Sequence, residues 1–200
     1  MEENLILIFT RNPVLGKVKT RLASSIGNEN TLEIYKFLLQ HTQKIVSNVN
    51  VSRRILYSEE IIDNDIWANN LYQKALQSEG DLGKKMENAF AEGFINGYKK
   101  IVIIGTDLYD LETSNIENAF QELENNDVVI GPAEDGGYYL LGLKNNIPEN
   151  IFSNKMWSTE TVLKDTLNDL HNYKVHLLDI KNDIDTIDDI KNIEIFQKYL

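Results

Sequence analysis

Four cationic side chains stand close together in a chain that is otherwise acidic. They are Arg11, Lys17, Lys19 and Arg21, and no acidic residue lies between Asn4 and Asn28. Pro13 and Gly16 interrupt regular structure, which predicts a loop whose backbone N–H groups can face an anion. Arginine offers a fork to phosphate oxygens and lysine a point charge. The loop is a candidate site for a di- or triphosphate, with a solvated surface loop as the alternative.

Asp107 is the second candidate, because it follows an apolar run at 101–104 through Gly105 and Thr106. A short apolar run that ends in a turn signal is typical of a buried strand in a parallel sheet. Ligands of open α/β sheets bind beyond the carboxyl ends of such strands. The carboxylate of Asp107 is a hard oxygen ligand suited to Mg²⁺, and Asp110 stands nearby in sequence. The alternative is that Asp107 only caps the next turn.

Two glycine-containing stretches are further candidates for ligand binding. The first, Gly80-Asp81-Leu82-Gly83, is a turn before a predicted helix. The second runs from Gly131 to Tyr139 and includes Glu134-Asp135-Gly136-Gly137. Paired glycines let a backbone approach a ligand closely, but Asp-Gly is also a strong signal for a hairpin turn. Both interpretations of the second stretch stay open.

Two aspartates near the end of the chain, Asp183 and Asp185, alternate in predicted extended backbone. Side chains at alternate positions of a strand point the same way, so both carboxylates could face one cation. The alternative is a helix N-terminus, where aspartate is common.

The apolar pattern predicts strands that alternate with helices. Strands are expected at 5–9, 54–57, 72–77, 101–104, 128–130, 138–143 and 175–180, with helices between most of them. Ser114 with Glu117, and Thr186 with Asp189, fit capping boxes, and Ser158 fits an N-cap. This alternation predicts an α/β fold in one domain, 1–200, with a mainly parallel sheet covered on both faces.

Composition narrows the classes of function. The 200 residues carry a formal net charge of −11, which disfavours binding to nucleic acid or to an anionic membrane. We see no apolar run that could span a bilayer and no signal peptide, and the chain has no cysteine. These features predict a cytoplasmic protein without disulfides or thiolate metal sites.

The chain closely resembles a family of bacterial proteins, DUF2064, through FTRNPVLGKVKTRLA, EGDLGKKM, IVIIGTDL, GPAEDGGYYLLGL, MWST and DIDTIDDI. The family is regarded as GT-A-type glycosyltransferases, some linked to arsenosugar biosynthesis, and is related to 2-phospholactate guanylyltransferase. The resemblance covers nearly the whole chain. It implies a nucleotide-diphospho-sugar transferase fold, which is a three-layer α/β/α sandwich around a mixed, mostly parallel sheet.

The resemblance also implies a site that binds a nucleotide together with Mg²⁺ or Mn²⁺. The nucleotide is expected at Thr10, Arg11, Gly16, Lys17, Lys19, Arg21, Gly80, Asp81, Gly83 and Thr106. The acceptor is expected at Asp135, Gly136, Gly137, Tyr138 and Trp157. Asp107 and Asp185 would hold the metal, and Asp107, Lys19 and Arg21 would act in catalysis. The family usually has proline where this chain has Tyr109.

We therefore expect a metal-dependent glycosyltransferase with a nucleotide-sugar donor and a small-molecule acceptor. Nucleotidyl transfer from a nucleoside triphosphate to a phosphorylated acceptor is the alternative, and a non-catalytic nucleotide-binding module is a third hypothesis. Neither nucleic acid nor a membrane span is expected, and a homodimer stays open. We also expect Lys19 and Arg21 to be exposed, so that removing either weakens nucleotide binding with little loss of stability.

Overall fold

The computed structural model describes residues 3–200 as a seven-stranded sheet with helices on both faces. The strands are β1 (Asn4–Thr10), β2 (Ser52–Tyr57), β3 (Gln73–Leu76), β4 (Lys100–Ile104), β5 (Val128–Pro132), β6 (Tyr138–Lys144) and β7 (Val175–Leu177). The helices are α1 (Thr20–Ile26), α2 (Asn28–Ser47), α3 (Leu82–Ile95), α4 (Thr113–Glu122), α5 (Val162–Asp169) and α6 (Ile187–Ile190), followed by a 3-10 helix at Glu194–Tyr199. None of the helices within 3–200 has the length and apolar character needed to cross a membrane.

The strands are ordered β3-β2-β1-β4-β6-β5-β7, so β4 is central and β1 is interior. Parallel pairing joins β1 to β2 and β4, β2 to β3, and β5 to β7. Strand β6 runs antiparallel to both of its neighbours. The mixed, mostly parallel sheet expected from the sequence is confirmed, and so is the central position of 101–104.

The core divides into two halves, one on each face of the sheet. Ile6 and Ile8 of β1 pack into a cluster with Leu39 of α2 and Phe120 of α4. Leu5 and Leu7 of the same strand pack into a second cluster, with Phe90 of α3. Successive side chains of a strand point to opposite faces, so a strand covered on both sides is apolar at nearly every position. The three-layer arrangement is thus the reason for the continuous apolar runs.

One edge of the sheet collects the segments that matter for function. Ile8 of β1 pairs with Ile104 of β4, so the chain leaves both strands at the same edge. Because β6 is antiparallel to β4, the turn before Tyr138 reaches this edge too. After β7 the chain crosses the edge, where Lys181 bridges to Ala133 and Asp183 bridges to Leu108. The end of the chain therefore returns to the residues that follow β4.

Two of the three predicted helix caps need correction. The capping box of α4 is formed by Glu112 and Asn115, because the helix starts at Thr113 and Ser114 already lies in its first turn. The N-cap of α5 is Thr161, whereas Ser158 has a left-handed backbone with φ 65°. The second predicted box, Thr186 with Asp189, is confirmed. The helix it opens is short, however, since α6 stops at Ile190 and a 3-10 helix carries Phe196.

Candidate active site

Two adjoining cavities open at the edge where β1 and β4 end. The first, which we call the acidic cavity, has a volume of about 540 Å³, and the second, the inner cavity, about 680 Å³. Among the predicted site residues, the acidic cavity is lined by Arg11, Lys17, Lys19, Arg21, Asp107, Asp135, Gly137, Tyr138, Trp157 and Asp185. The inner cavity adds Thr10, Gly80, Asp81 and Thr106. Gly16, Gly83 and Gly136 lie outside both linings.

Lys19 is at the centre of the acidic cavity. Its Nζ lies 2.9 Å from Oδ1 of Asp107 and 2.8 Å from Oδ1 of Asp185, and its side chain is only 6% exposed. Burial alone would lower the pKa of Lys19, but the charges of Asp107 and Asp185 outweigh it and raise the pKa above its ordinary value. The ammonium is therefore charged and joins two carboxylates that are 78 positions apart in sequence. Their predicted proximity is confirmed.

The backbone at Lys19 adopts the left-handed conformation, with φ 46° and ψ 50°, immediately before α1. A residue with a Cβ is uncommon there, and such conformations concentrate at functional sites. The turn brings the side chain back under the β1–α1 loop toward Asp107. The expectation that Lys19 is exposed was wrong, because its side chain is buried and its ammonium lies between the two carboxylates. Arg21 is 70% exposed, as expected, and its guanidinium pairs with Asp185.

Tyr35 of α2 supports this loop from behind. Its hydroxyl donates to the carbonyl oxygen of Arg11 at 3.0 Å, accepts from the Arg11 N–H at 3.0 Å, and contacts the hydroxyls of Thr10 and Thr106. Burial and the nearby charge of Asp107 raise the pKa of Tyr35. The tyrosine thus ties the end of β1 to the end of β4. In the sequence it belongs to the apolar stripe of a helix, which gives no sign of this role.

Asp183 is a functional candidate that the sequence suggested only as one of an alternating pair. The Ile184 N–H donates to the Asp107 carbonyl oxygen at 3.0 Å, which brings the two aspartates together. Oδ1 of Asp183 is buried and has no hydrogen-bond partner among residues 3–200. Burial, followed by the charge of Asp107, raises the pKa of Asp183 to about 7. An unpartnered buried carboxylate oxygen is costly unless something else binds it.

The carboxylates of the acidic cavity fit a divalent cation. Asp107 and Asp183 offer hard oxygen donors, and a ligand at the free Asp183 oxygen would remove its unfavourable burial. Asp185 already gives one oxygen to Lys19 and the other to Arg21. Within 3–200, no group of three or more His, Asp or Glu residues is arranged to hold a metal alone, so an ion would need further ligands. The metal roles of Asp107 and Asp185 stay predictions.

The glycine turn before α3 borders the inner cavity. Oδ1 of Asp81 accepts from the Lys84 N–H at 2.8 Å, which caps the helix. A Cβ at Gly83 would lie 2.5 Å from the ring of Trp157, so glycine is needed where the indole packs on the helix. Lys85 lines the same cavity, is half-buried and has no ion pair among the described residues. Lys85 is therefore a cation of the site that no sequence motif indicated.

The stretch from Gly131 to Tyr139 is a hairpin turn between β5 and β6, and it also lines the cavity. The two interpretations from the sequence are therefore compatible. Oδ1 of Asp135 accepts from the Gly137 N–H at 2.9 Å. A Cβ at Gly136, where φ is 86°, would lie 2.2 Å from the Glu160 carbonyl oxygen. This glycine lets the hairpin turn pack against the segment that carries Trp157.

Asp110 and Tyr109 lie away from both cavities. Asp110 pairs with Lys181, with 3.3 Å between Oδ2 and Nζ. The Tyr109 ring packs against Phe37 and Phe196 and stacks on His41. The residue in the family's usual proline position thus fills a cluster between α2 and the end of the chain.

The sheet order and the site at its edge define the fold of the nucleotide-diphospho-sugar transferases, and comparisons agree. A protein of Desulfovibrio desulfuricans G20, provisionally assigned as a nucleotide-diphospho-sugar transferase, is 29% identical with a TM-score of 0.86 over 98% of this chain and 91% of its own. A cytidylyltransferase of Leptospira borgpetersenii is 16% identical, with a TM-score of 0.64 over 100% and 88% of the two chains. The 4-diphosphocytidyl-2C-methyl-D-erythritol synthase of Anaerococcus prevotii is 12% identical, with a TM-score of 0.59 over 98% and 99%.

A match to a known family of sequences assigns the chain to that family. Residues 41–159 match the family described as an uncharacterized protein conserved in bacteria (DUF2064). The chain belongs to this family, which confirms the resemblance drawn from its motifs. No curated protein matches the chain.

Proposed function

We propose that the protein is a metal-dependent glycosyltransferase that uses a nucleotide-diphospho-sugar donor. The observation that carries the proposal is the placement of Lys19 between Asp107 and Asp185. Arg11 and Lys17 of the same loop and Arg21 at the start of α1 also line the cavity. Negative charge grows on the oxygens of the diphosphate as its bond to the sugar breaks. Positive charge beside these oxygens is therefore needed to stabilise the leaving group. The β1–α1 loop and the first turn of α1 supply this positive charge from four side chains.

The donor is expected to span the two cavities. Its nucleoside would occupy the inner cavity, between the end of β1 and the glycine turn before α3. Its diphosphate would lie under the β1–α1 loop, and its sugar would extend into the acidic cavity. Lys85 faces the inner cavity and is available to the phosphate nearest the nucleoside.

A divalent cation would be held by Asp107 and Asp183, with Asp185 close by. When bound, it would neutralise phosphate oxygens and stabilise the departing diphosphate. Lys19 would then keep the remaining carboxylate charge balanced and donate hydrogen bonds toward the phosphates. Tyr35 would hold Arg11 and Thr106 in place, because its hydroxyl contacts both segments.

Nucleotidyl transfer from a nucleoside triphosphate is the second candidate. Of the structural neighbours, the Leptospira protein is described as a cytidylyltransferase and the Anaerococcus protein as a 4-diphosphocytidyl-2C-methyl-D-erythritol synthase. At the identities found they support the fold, and the reaction they name is a hypothesis for this chain. The same four cations could serve a triphosphate, with pyrophosphate as the leaving group.

A thermal-shift screen tests the proposal. Nucleoside diphosphates, triphosphates and nucleotide sugars are each added with and without Mn²⁺, and a ligand that binds the folded state raises the melting temperature by mass action. We expect the largest shift from a nucleotide sugar or its nucleoside diphosphate, and only when Mn²⁺ is present. The control variant Lys99→Ala should show the same shifts as the wild type. Lys99 is an exposed cation that pairs with Glu3 at the opposite edge of the sheet. No shift with any nucleotide would refute the proposed function.

A further inference from the structure

The carboxylates that line the acidic cavity are of two kinds, those that pair with its cations and those that have no salt bridge among residues 3–200. The cations of this cavity are Arg11, Lys17 and Lys19 of the β1–α1 loop and Arg21 of the first turn of α1. A second part of the lining, which we call the acceptor wall, is formed by Asp135, Tyr138, Trp157 and Glu160. Neither carboxylate of this wall has a salt bridge within the described part of the chain. A group on the wall therefore meets negative charge and aromatic surface.

The acceptor wall is fixed by backbone contacts. The Leu163 N–H donates to the Gly136 carbonyl oxygen at 2.9 Å, and the Ala133 N–H to that of Gly137 at 3.1 Å. The close approach of Gly136 to the Glu160 backbone joins the hairpin turn to the Trp157 segment. The backbone of the wall is thus fixed before any ligand arrives.

Trp157 is held at the same time by two contacts. Its ring packs on Gly83 of α3, and its centroid lies 6.4 Å from that of Phe152. A half-buried indole that lines a cavity offers a flat apolar surface, which suits the C–H face of a ring or chain. Carboxylates beside it accept hydrogen bonds from hydroxyl groups, because an ionised carboxylate is an acceptor only.

We infer that the acceptor wall selects an uncharged, hydroxyl-bearing acceptor and rejects a phosphorylated one. The inference rests on the proposed function and deepens it, because it separates glycosyl transfer to a hydroxyl from nucleotidyl transfer to a phosphate. A phosphate monoester on the wall would face Asp135 and Glu160 at close range, with the loop cations already occupied by the donor. Like charges placed together are a common means of rejecting a wrong partner.

The charge at the wall can be measured without any substrate. The chain has two tryptophans, and Trp67 is 1% exposed, so Trp67→Phe leaves Trp157 as the reporter. We expect iodide to quench this fluorescence poorly relative to neutral acrylamide, at constant ionic strength. Adding Asp135→Asn and Glu160→Gln should raise the iodide quenching constant about twofold, since the local field is removed. The control pair, Glu29→Gln with Glu117→Gln, changes two exposed carboxylates elsewhere and should leave it unchanged.

The inference would be overturned if the iodide quenching constant did not change with the wall substitutions, or if it changed equally with the control pair.

The second experiment uses the wild-type chain, so it does not depend on the folding of a variant. With the donor and Mn²⁺ identified by the thermal-shift screen, release of nucleotide is measured with matched acceptors, namely free sugars and polyols against their phosphate monoesters. We expect kcat/KM about tenfold higher for the uncharged member of a pair.

A higher rate with the phosphorylated members, or no difference across the pairs, would overturn the inference while metal-dependent nucleotide binding still supported the proposed function. A chain that binds no nucleotide would refute both. For the Asp135→Asn and Glu160→Gln variant, we expect the preference between pair members to shrink by at least about threefold. Loss of rate with an unchanged preference would show that the two residues are structural and not selective.

Discussion

Lys19 holds two carboxylates that would otherwise repel each other and Asp183. Removing one partner of a buried ion pair leaves uncompensated charge, which is strongly destabilising. The carboxylates of Asp107 and Asp185 are 39% and 31% exposed, so solvent reduces this cost. We expect Lys19→Ala to lower the free energy of unfolding by about 2 kcal/mol.

Arg21→Ala is the matched comparison, because Arg21 binds the same Asp185 but is largely exposed. It should change stability by less than about 0.5 kcal/mol. Both variants should bind nucleotide more weakly than wild type by calorimetry. If Lys19→Ala were as stable as Arg21→Ala, the buried ion pair would not have the role described.

Asp183 predicts a pH dependence of stability. Its pKa is raised from 3.8 to about 7 on folding, so the folded state binds this proton more tightly than the unfolded chain. The stabilisation is fully present below pH 3.8 and is lost as the pH rises through about 7. In the presence of EDTA, Asp183→Asn should therefore raise the melting temperature at pH 8 and have little effect at pH 4.

The exposed Asp63→Asn serves as the control for Asp183 and should show no such trend. A melting temperature of Asp183→Asn that stayed parallel to wild type from pH 4 to pH 8 would contradict the burial of this carboxylate. Mn²⁺ should restore stability to the wild type at pH 8, because a bound cation favours the ionised carboxylate.

At the scale of elements, the acceptor wall depends on contact between α3 and the segment after β6. Alanine is normally better than glycine inside a helix, by about 1 kcal/mol. At Gly83, however, a Cβ would lie 2.5 Å from the Trp157 ring. We expect Gly83→Ala to destabilise the wild type but to be neutral or stabilising in a Trp157→Ala background, as a double-mutant cycle in urea would measure. Additive effects of the two substitutions would exclude the contact.

The elements show what a sequence can and cannot indicate. The apolar run at 101–104 identified the central strand, because burial on both faces leaves a continuous hydrophobic signal. The helix ends at Ser114 and Ser158 were wrong, since several residues in each turn could act as a cap and only the backbone decides. The cap at Thr186 was right, and both hydrogen bonds of its capping box are present.

The same limit applies to the site. The four cations were visible as a charge cluster in an acidic chain, and the carboxylates as strand-end residues. The contacts of Tyr35 with the loop and the burial of Lys19 were not predictable. Each depends on contacts between the loop and residues far away in the sequence, namely Tyr35 of α2 and Asp107. Glu160 joins the wall through backbone packing at Gly136, for which the sequence offers no local pattern.

At the scale of the whole molecule, the end of the chain completes the site. Ile184, Ile190 and Phe196 pack against Leu22 of α1 and Leu38 of α2 in a third hydrophobic cluster. This cluster anchors the segment that carries Asp183 and Asp185. The site is therefore built from both ends of the chain, and its stability depends on residues far from the ligand.

Phe196→Ala tests this dependence. Phe196 is 1% exposed, so its truncation should cost about 3 kcal/mol, as for other buried phenylalanines. Its neighbour Ile195 is 42% exposed, and Ile195→Ala should cost much less in the same urea titration. We also expect Phe196→Ala, while still folded, to bind nucleotide more weakly because the Asp185 segment loosens. Equal stability of the two variants would rule out the anchoring role.

The most direct test of the account compares Asp107→Asn with Asp110→Asn. The two aspartates lie three positions apart, but only the first lines the cavities, whereas the second pairs with Lys181. Calorimetric titration of each folded variant with a nucleoside diphosphate, with and without Mn²⁺, measures the contribution of the metal to affinity. We expect Asp110→Asn to keep the Mn²⁺-dependent gain in affinity and Asp107→Asn to lose it. An Asp107→Asn variant that binds nucleotide and Mn²⁺ as wild type does would contradict the central claim.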